Sequence, residues 1–169
     1  WPEAVELGVV HNLQRNAMIV KLAQHLDQTK SGPVIILVER LAHGEQLAKA
    51  LSTQFVAGDA PSNVRQAAWA DIKEGRLNVL VTSKIADEGL DIPPLTFLIL
   101  AGGGKAPHLT IQRTGRGMRL SKDKRRLFVF DFLVNFHCCI LCFLFAGNHC
   151  LFIWQKRGIG LCAKITSVV

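Results

Sequence analysis

The sequence predicts an α/β fold, a parallel sheet of about five strands with helices on both faces, and three observations carry that expectation. Short apolar runs alternate with helix-like segments as far as Asp131, an order that needs crossover connections and favours parallel pairing. One run, Val34 to Val38, is apolar without interruption, as a strand buried on both faces reads. Turn-forming clusters, Ser31-Gly32-Pro33 and Gly58-Asp59-Ala60-Pro61-Ser62, punctuate the alternation.

Taken in order, His11 to Leu26 carries Leu13, Ala17, Val20 and Leu26 at roughly helical spacing and predicts an amphipathic helix. Val34 to Val38 is the first strand, Leu41 to Leu51 a helix, and Gln54 to Ala57 a short strand. Asn63 to Glu74 reads as a helix with Ala67, Ala68, Trp69 and Ile72 facing inward, ended by Gly75. Asn78 to Val81 is a third strand, after which Thr82-Ser83 caps a short helix stopping at Gly89. Phe97 to Leu100 is a fourth strand, followed by Gly102-Gly103-Gly104 and a helix carrying Gln112 to Arg119. Ser121 to Arg126 is a polar turn and Leu127 to Phe130 a fifth strand. Ligands of such sheets meet the loops at the carboxyl ends of the strands. Asp59, Thr82, Gly102 and Asp131 are expected just past a strand, where a site would lie.

The 169 residues suit one domain with an appendage, and the formal charge of +7 favours a polyanionic partner. Charge is unevenly spread: all 13 acidic residues lie at or before Asp131, and all five cysteines lie after it. A boundary is therefore expected there, with residues 1–131 as the folded lobe and residues 132–169 as an apolar tail. The chain begins with Trp1 rather than methionine, as a piece of a longer or processed product does.

Two stretches carry chemistry. In Gln112 to Arg119, reading Gln-Arg-Thr-Gly-Arg-Gly-Met-Arg, a helix would set Gln112, Arg116 and Arg119 on one face as an anion clamp. Gly115 removes a side chain from that face. In Val81 to Pro93, Thr82 and Ser83 offer hydroxyls and amides suited to a phosphate oxygen, while Gly89 allows the chain to reverse and Asp91 is held by Leu90, Ile92 and Pro93. Gly102-Gly103-Gly104-Lys105 lacks the glycine and the hydroxyl residue of a phosphate loop. No carboxylate pair follows a strand in the manner that holds magnesium. The chain alone is expected neither to hydrolyse a nucleotide nor to hold a metal.

Together these stretches resemble the second RecA-like lobe of superfamily 2 helicases and translocases. Val81 to Pro93 is similar to that family's motif V, and Gln112 to Arg119 fills every fixed position of its motif VI, Q-x-x-G-R-x-x-R. Pro33 to Leu47 is similar to motif IV, and Gly58-Asp59 with Arg65 to a weaker motif in which Ser62 replaces the usual glutamine. Asn12 with Arg15-Asn16 resembles the linker from a first lobe. The resemblance implies a motor in which ATP with Mg2+ sits between this lobe and a first lobe, in cis or in trans. Arg116 and Arg119 would be arginine fingers on the γ-phosphate, with Gln112 sensing or orienting it. Gly89 and Asp91 would connect the ribose side to the strand-binding side. Thr82, Arg40 and Arg65 would touch the nucleic-acid backbone, gripping phosphates without reading bases. Gln112, where DEAD-box RNA helicases have histidine, and Asp87-Glu88 point to DNA rather than RNA. The implied location is cytoplasmic or nucleoid-associated. The competing expectation is a non-catalytic nucleic-acid-binding or regulatory module that kept the lobe and lost its engine.

Phe132 to Trp154 contains no charged residue, yet Asn135, His137, Gly147, Asn148 and His149 interrupt it, so a membrane span is not expected. His137, Cys139, Cys142, His149 and Cys150 have zinc-binding atoms at a spacing that matches no paired knuckle. The abrupt loss of acidic residues, with Phe, Leu and Cys enriched, reads as out-of-frame or read-through translation, part of it packing as a helix, with exposed apolar surface and poor solubility as the consequence.

Overall fold

The computed structural model describes residues 2–83, 95–102, 127–133, 139–146, 149–156 and 167–168. Its elements are α1 (Pro2–Val5), a π-helical turn (Glu6–Val10), α2 (Leu13–Gln28), β1 (Val34–Leu37), α3 (Leu41–Leu51), β2 (Gln54–Val56), α4 (Ser62–Lys73), β3 (Val79–Thr82), β4 (Phe97–Leu100), β5 (Leu127–Leu133), β6 (Cys139–Ala146), β7 (His149–Lys156) and β8 (Ser167–Val168). The first five strands form a parallel sheet in the order β2-β3-β1-β4-β5. Helices cover both of its faces, as the sequence predicts.

Strand alternation sorts the core into two layers. Val34, Ile36 and Val38 face α2 and α3, packing with Ile19, Ala23, Leu47 and Ala48. Ile35, Leu80, Leu98 and Val129 face α4, packing with Ala68, Trp69 and Ile72. Each fully buried aliphatic side chain contributes about 1.5–3 kcal/mol relative to exposure, so these two layers hold the sheet between its helices. Gly75, at φ +72, ends the polypeptide's run through α4 in the left-handed region. Gly44 lets α3 close on β2, because a Cβ there would stand 2.3 Å from the Phe55 ring.

Three expectations change. The buried stripe of α2 is Arg15, Ile19, Ala23 and Leu26, whereas Leu13 is 84% exposed and Ala17 is exposed as well. The helix starts at the Asn12 cap, whose side chain accepts the Arg15 backbone N–H at 2.9 Å, and the stripe in register with the sheet then falls on Arg15. In α4, Ala67 is exposed and Ala68 takes the buried position beside Trp69.

The third change concerns the far side of the sheet. β5 continues to Leu133, so Asp131 lies within the strand, opposite Leu100, instead of just past it. Phe132, fully buried, belongs to the core. β6, β7 and β8 then extend the sheet from β5 as antiparallel strands, with strands where a helix was expected. The cause is legible afterwards: each of the long strands is an apolar run rich in Phe, Ile and Leu, and only Gly147-Asn148 separates them, which is hairpin composition.

Candidate functional site

Strand order reverses around β1: the chain moves from β1 to β2 and β3 on one side, then crosses to β4 on the other. The carboxyl ends of β1, β3 and β4 therefore come together where doubly wound sheets bind ligands. Backbone bonds fasten them to each other, from Val38 N–H to the Thr82 carbonyl at 3.0 Å and from Ala101 N–H to the Leu37 carbonyl at 2.8 Å. Gly102 follows β4, and a Cβ on it would stand 2.7 Å from Glu39 Cγ, so the Glu39 side chain crosses the gap between β1 and β4.

On the β2–β3 side a second network forms. The Thr82 side chain is 2% exposed and its hydroxyl donates to the Val56 carbonyl at 2.9 Å. The next hydroxyl, that of half-buried Ser83, accepts the Gly58 N–H at 2.8 Å, which leaves its own proton to give to a further acceptor. Alternation explains the difference. Residue 82 shares the face of Leu80, beneath α4, and Ser83 stands at the strand's mouth. Arg65, in the first turns of α4, donates from Nη1 to the carbonyls of Gly58 and Ala60, both at 2.9 Å. Arg40 occupies the N-cap position of α3 with no capping bond from its side chain, half exposed, with Nε 4.0 Å from Glu6 Oε1.

Behind these ends lies a buried polar line. Arg15, 2% exposed, donates from Nη2 to the carbonyls of Ala101 at 2.9 Å and Phe132 at 3.2 Å, and its guanidinium lies 5.8 Å from the centre of the Phe132 ring. Asn16 donates to the Val10 carbonyl at 2.8 Å, so its amide oxygen faces His43 and takes the Nε2 proton at 2.9 Å. That fixes His43 as the neutral Nε2–H tautomer. Burial first, and the nearby Arg15 charge second, hold its pKa down at about 4.

The structure thus brings Thr82, Arg40 and Arg65 to one end of the sheet. The remaining expected site residues, Gly89, Asp91, Gln112, Arg116 and Arg119, lie outside the described residues. Among the described residues no cluster of His, Cys, Asp or Glu could hold a metal ion. Sequence reading missed the roles of Arg15 and His43, because helical periodicity scores them as surface residues. The period of two along β3 was the available signal that Thr82 turns inward.

Comparison with known proteins gives the class. The sequence matches the helicase conserved C-terminal domain over residues 16–121, and the chain belongs to that family. A Sulfolobus islandicus filamentous virus protein named as helicase 22 is 32% identical over 130 residues, covering 74% of this chain and 23% of its own length. A Halobacterium salinarum protein named as a DNA 3'-5' helicase of the Rad25 type is 37% identical over 98 residues, covering 57% of this chain and 16% of its own. The chain thus spans less than a quarter of these relatives. Among solved structures, T4 UvsW aligns with all of this chain and 32% of its own at a TM-score of 0.64 and 17% identity. The E. coli DEAD-box protein SrmB aligns over 70% of this chain and 69% of its own at a TM-score of 0.57 and 23% identity. Both likenesses speak to the fold, which is that of a RecA-like helicase lobe.

Proposed function

We propose that the chain is the second motor lobe of an ATP-dependent DNA helicase or translocase, active together with a first lobe. The observation that carries this is the family match, which runs from α2 through both chemistry-bearing stretches and takes in every proposed nucleotide-side residue. Arg116 and Arg119 stabilise charge on the γ-phosphate, Gln112 orients it, and Gly89 and Asp91 link the nucleotide to the strand-binding side. ATP with Mg2+ supplies the phosphoanhydride that is cleaved. The first lobe supplies the magnesium ligands. DNA is the preferred partner: Gln112 and Asp87-Glu88 favour it, and DNA-named helicases stand among the relatives, beside RNA-named ones.

On the described side, nucleic-acid phosphates lie along the carboxyl ends of β1 to β3, where Arg40 supplies charge and the strand end at Thr82-Ser83 supplies a hydroxyl donor. The test is DNA-stimulated ATP hydrolysis by this lobe joined to a first lobe. Arg116→Ala and Arg119→Ala are each expected to lower kcat by about 10³-fold or more while DNA binding persists. Hydrolysis that is indifferent to both arginines would overturn the motor reading. DNA binding with no arginine-dependent hydrolysis would instead define a binding module.

A further inference from the structure

We infer that Arg65 is a positioning residue, which holds the Gly58–Ala60 turn against Ser83 and so presents the Ser83 hydroxyl to a nucleic-acid phosphate, without touching the nucleic acid itself. This rests on the strand-binding reading proposed above. A basic residue at the start of a helix beside a candidate phosphate track invites a direct contact, but the geometry assigns this one elsewhere. A single guanidinium nitrogen, Nη1, bridges two carbonyls of one turn, Gly58 and Ala60. That turn is closed by Ala60 N–H donating to the Ala57 carbonyl at 3.1 Å, and it aims the Gly58 N–H at Ser83 Oγ.

The proton inventory then separates the two hydroxyls. Thr82 gives its proton to Val56 in a buried position. Ser83 receives a proton from Gly58, and its backbone N–H is held by the Val56 carbonyl at 3.3 Å. A hydroxyl that is accepting one bond polarises toward donating another, and a phosphate oxygen is the acceptor that a translocating lobe meets at a strand end. Without Arg65 the turn carbonyls lose their shared donor, the Gly58 N–H leaves Ser83, and the hydroxyl loses its fixed orientation.

The experiment is binding of a fluorescent single-stranded oligothymidine to the full chain by anisotropy, over a series of salt concentrations, with folding checked by circular dichroism. Arg65→Gln and Ser83→Ala are each expected to weaken binding about tenfold, the factor for one lost hydrogen bond to a charged group. The slope of log K against log salt is expected to stay unchanged in both. The double variant should bind within about twofold of either single one. Arg65→Lys should behave like Arg65→Gln, because the lysine side chain is one bond shorter and cannot reach both carbonyls. A salt slope lowered by about 0.7 in Arg65→Gln, the value for one phosphate contact on a single strand, would show direct contact and overturn the inference. So would full affinity in Arg65→Lys, or additive losses in the double variant. Failure of the wild-type chain to bind the oligonucleotide would overturn the strand-binding reading, and this inference with it.

Discussion

Phe132 tests where the folded lobe ends. Its side chain is fully buried among residues of the α2–α3 face, and its ring lies under the Arg15 guanidinium at 5.8 Å. Truncating a buried phenylalanine to alanine costs about 3–5 kcal/mol through lost transfer and the cavity left behind. Loss of the guanidinium contact adds about 0.5–2 kcal/mol. The backbone carbonyl that accepts from Arg15 survives the substitution, so the measurement isolates the side chain. Phe132→Ala is therefore expected to lose about 5 kcal/mol, a large share of the roughly 5–15 kcal/mol that holds a typical domain together. At this chain length the melting temperature should fall by roughly 10 °C. Urea unfolding followed by tryptophan fluorescence, to which buried Trp69 contributes beside Trp1 and Trp154, reads the change, and Phe132→Leu should retain most of the stability. A loss below about 1 kcal/mol with an unchanged m-value would refute the placement of Phe132 in the core and leave Asp131 as the end of the lobe.

His43 predicts acid sensitivity. Its folded pKa of about 4 lies below the unfolded value of 6.5, so the unfolded chain binds the extra proton and stability, complete above pH 6.5, declines as pH falls toward 4, by a few kcal/mol. Asp27 adds a further loss at lower pH, because its hydrogen bond from Asn78 holds its carboxyl below the usual range. Denaturant midpoints measured across pH should show both, and His43→Gln should flatten only the upper window. Arg15→Met should destabilise by about 1–3 kcal/mol by leaving the Ala101 and Phe132 carbonyls without their donor. It should also raise the His43 pKa, read from its imidazole proton shifts by NMR, since the Arg15 charge contributes to the depression. Gly44→Ala gains about 1 kcal/mol in helix propensity but forces a methyl to within 2.3 Å of the Phe55 ring, and overpacking costs about 1–3 kcal/mol. A net loss near 1 kcal/mol is expected in thermal unfolding, and a gain would mean that Phe55 swings away freely.

The sheet was legible where a residue's environment is announced by its neighbours in sequence. Val34 to Val38 declares a strand covered on both sides, and the bounds of α3 and of β4 agree with the reading from composition alone. The inward face of α2 was not legible. Counting apolar residues favours Leu13 over Arg15, because the carbonyls that make Arg15 affordable inside come from Ala101 and Phe132, far along the chain. His43 was hidden for the same reason, since Asn16, on another helix, takes its Nε2 proton. At the site, Thr82, Arg40 and Arg65 lie at the carboxyl end of the strands, Thr82 as the last residue of β3 where the sequence reading put it just past the strand. Sequence could not separate a hydroxyl facing α4 from one at the strand's mouth, or a guanidinium engaged with carbonyls from one offered to a ligand. The finger candidates Arg116 and Arg119 rest on motif spacing and the family match.

The lengths of the outermost strands bear on how copies of this chain behave toward one another. The sheet ends at β2, three residues long, and at β8, two residues long. The β2 margin offers a neighbouring polypeptide almost no row of N–H and C=O groups to pair with, but β8 pairs only with Cys150 and Leu151, so among the described residues most of the eight-residue β7 forms the other margin. Cutting the chain after Leu133 would turn the seven-residue β5 into a margin instead, and a strand of that length is a template for intermolecular ladder growth. The apolar extension thus moves the long margin of the sheet from β5 to β7, and pairing between copies would be met at β7.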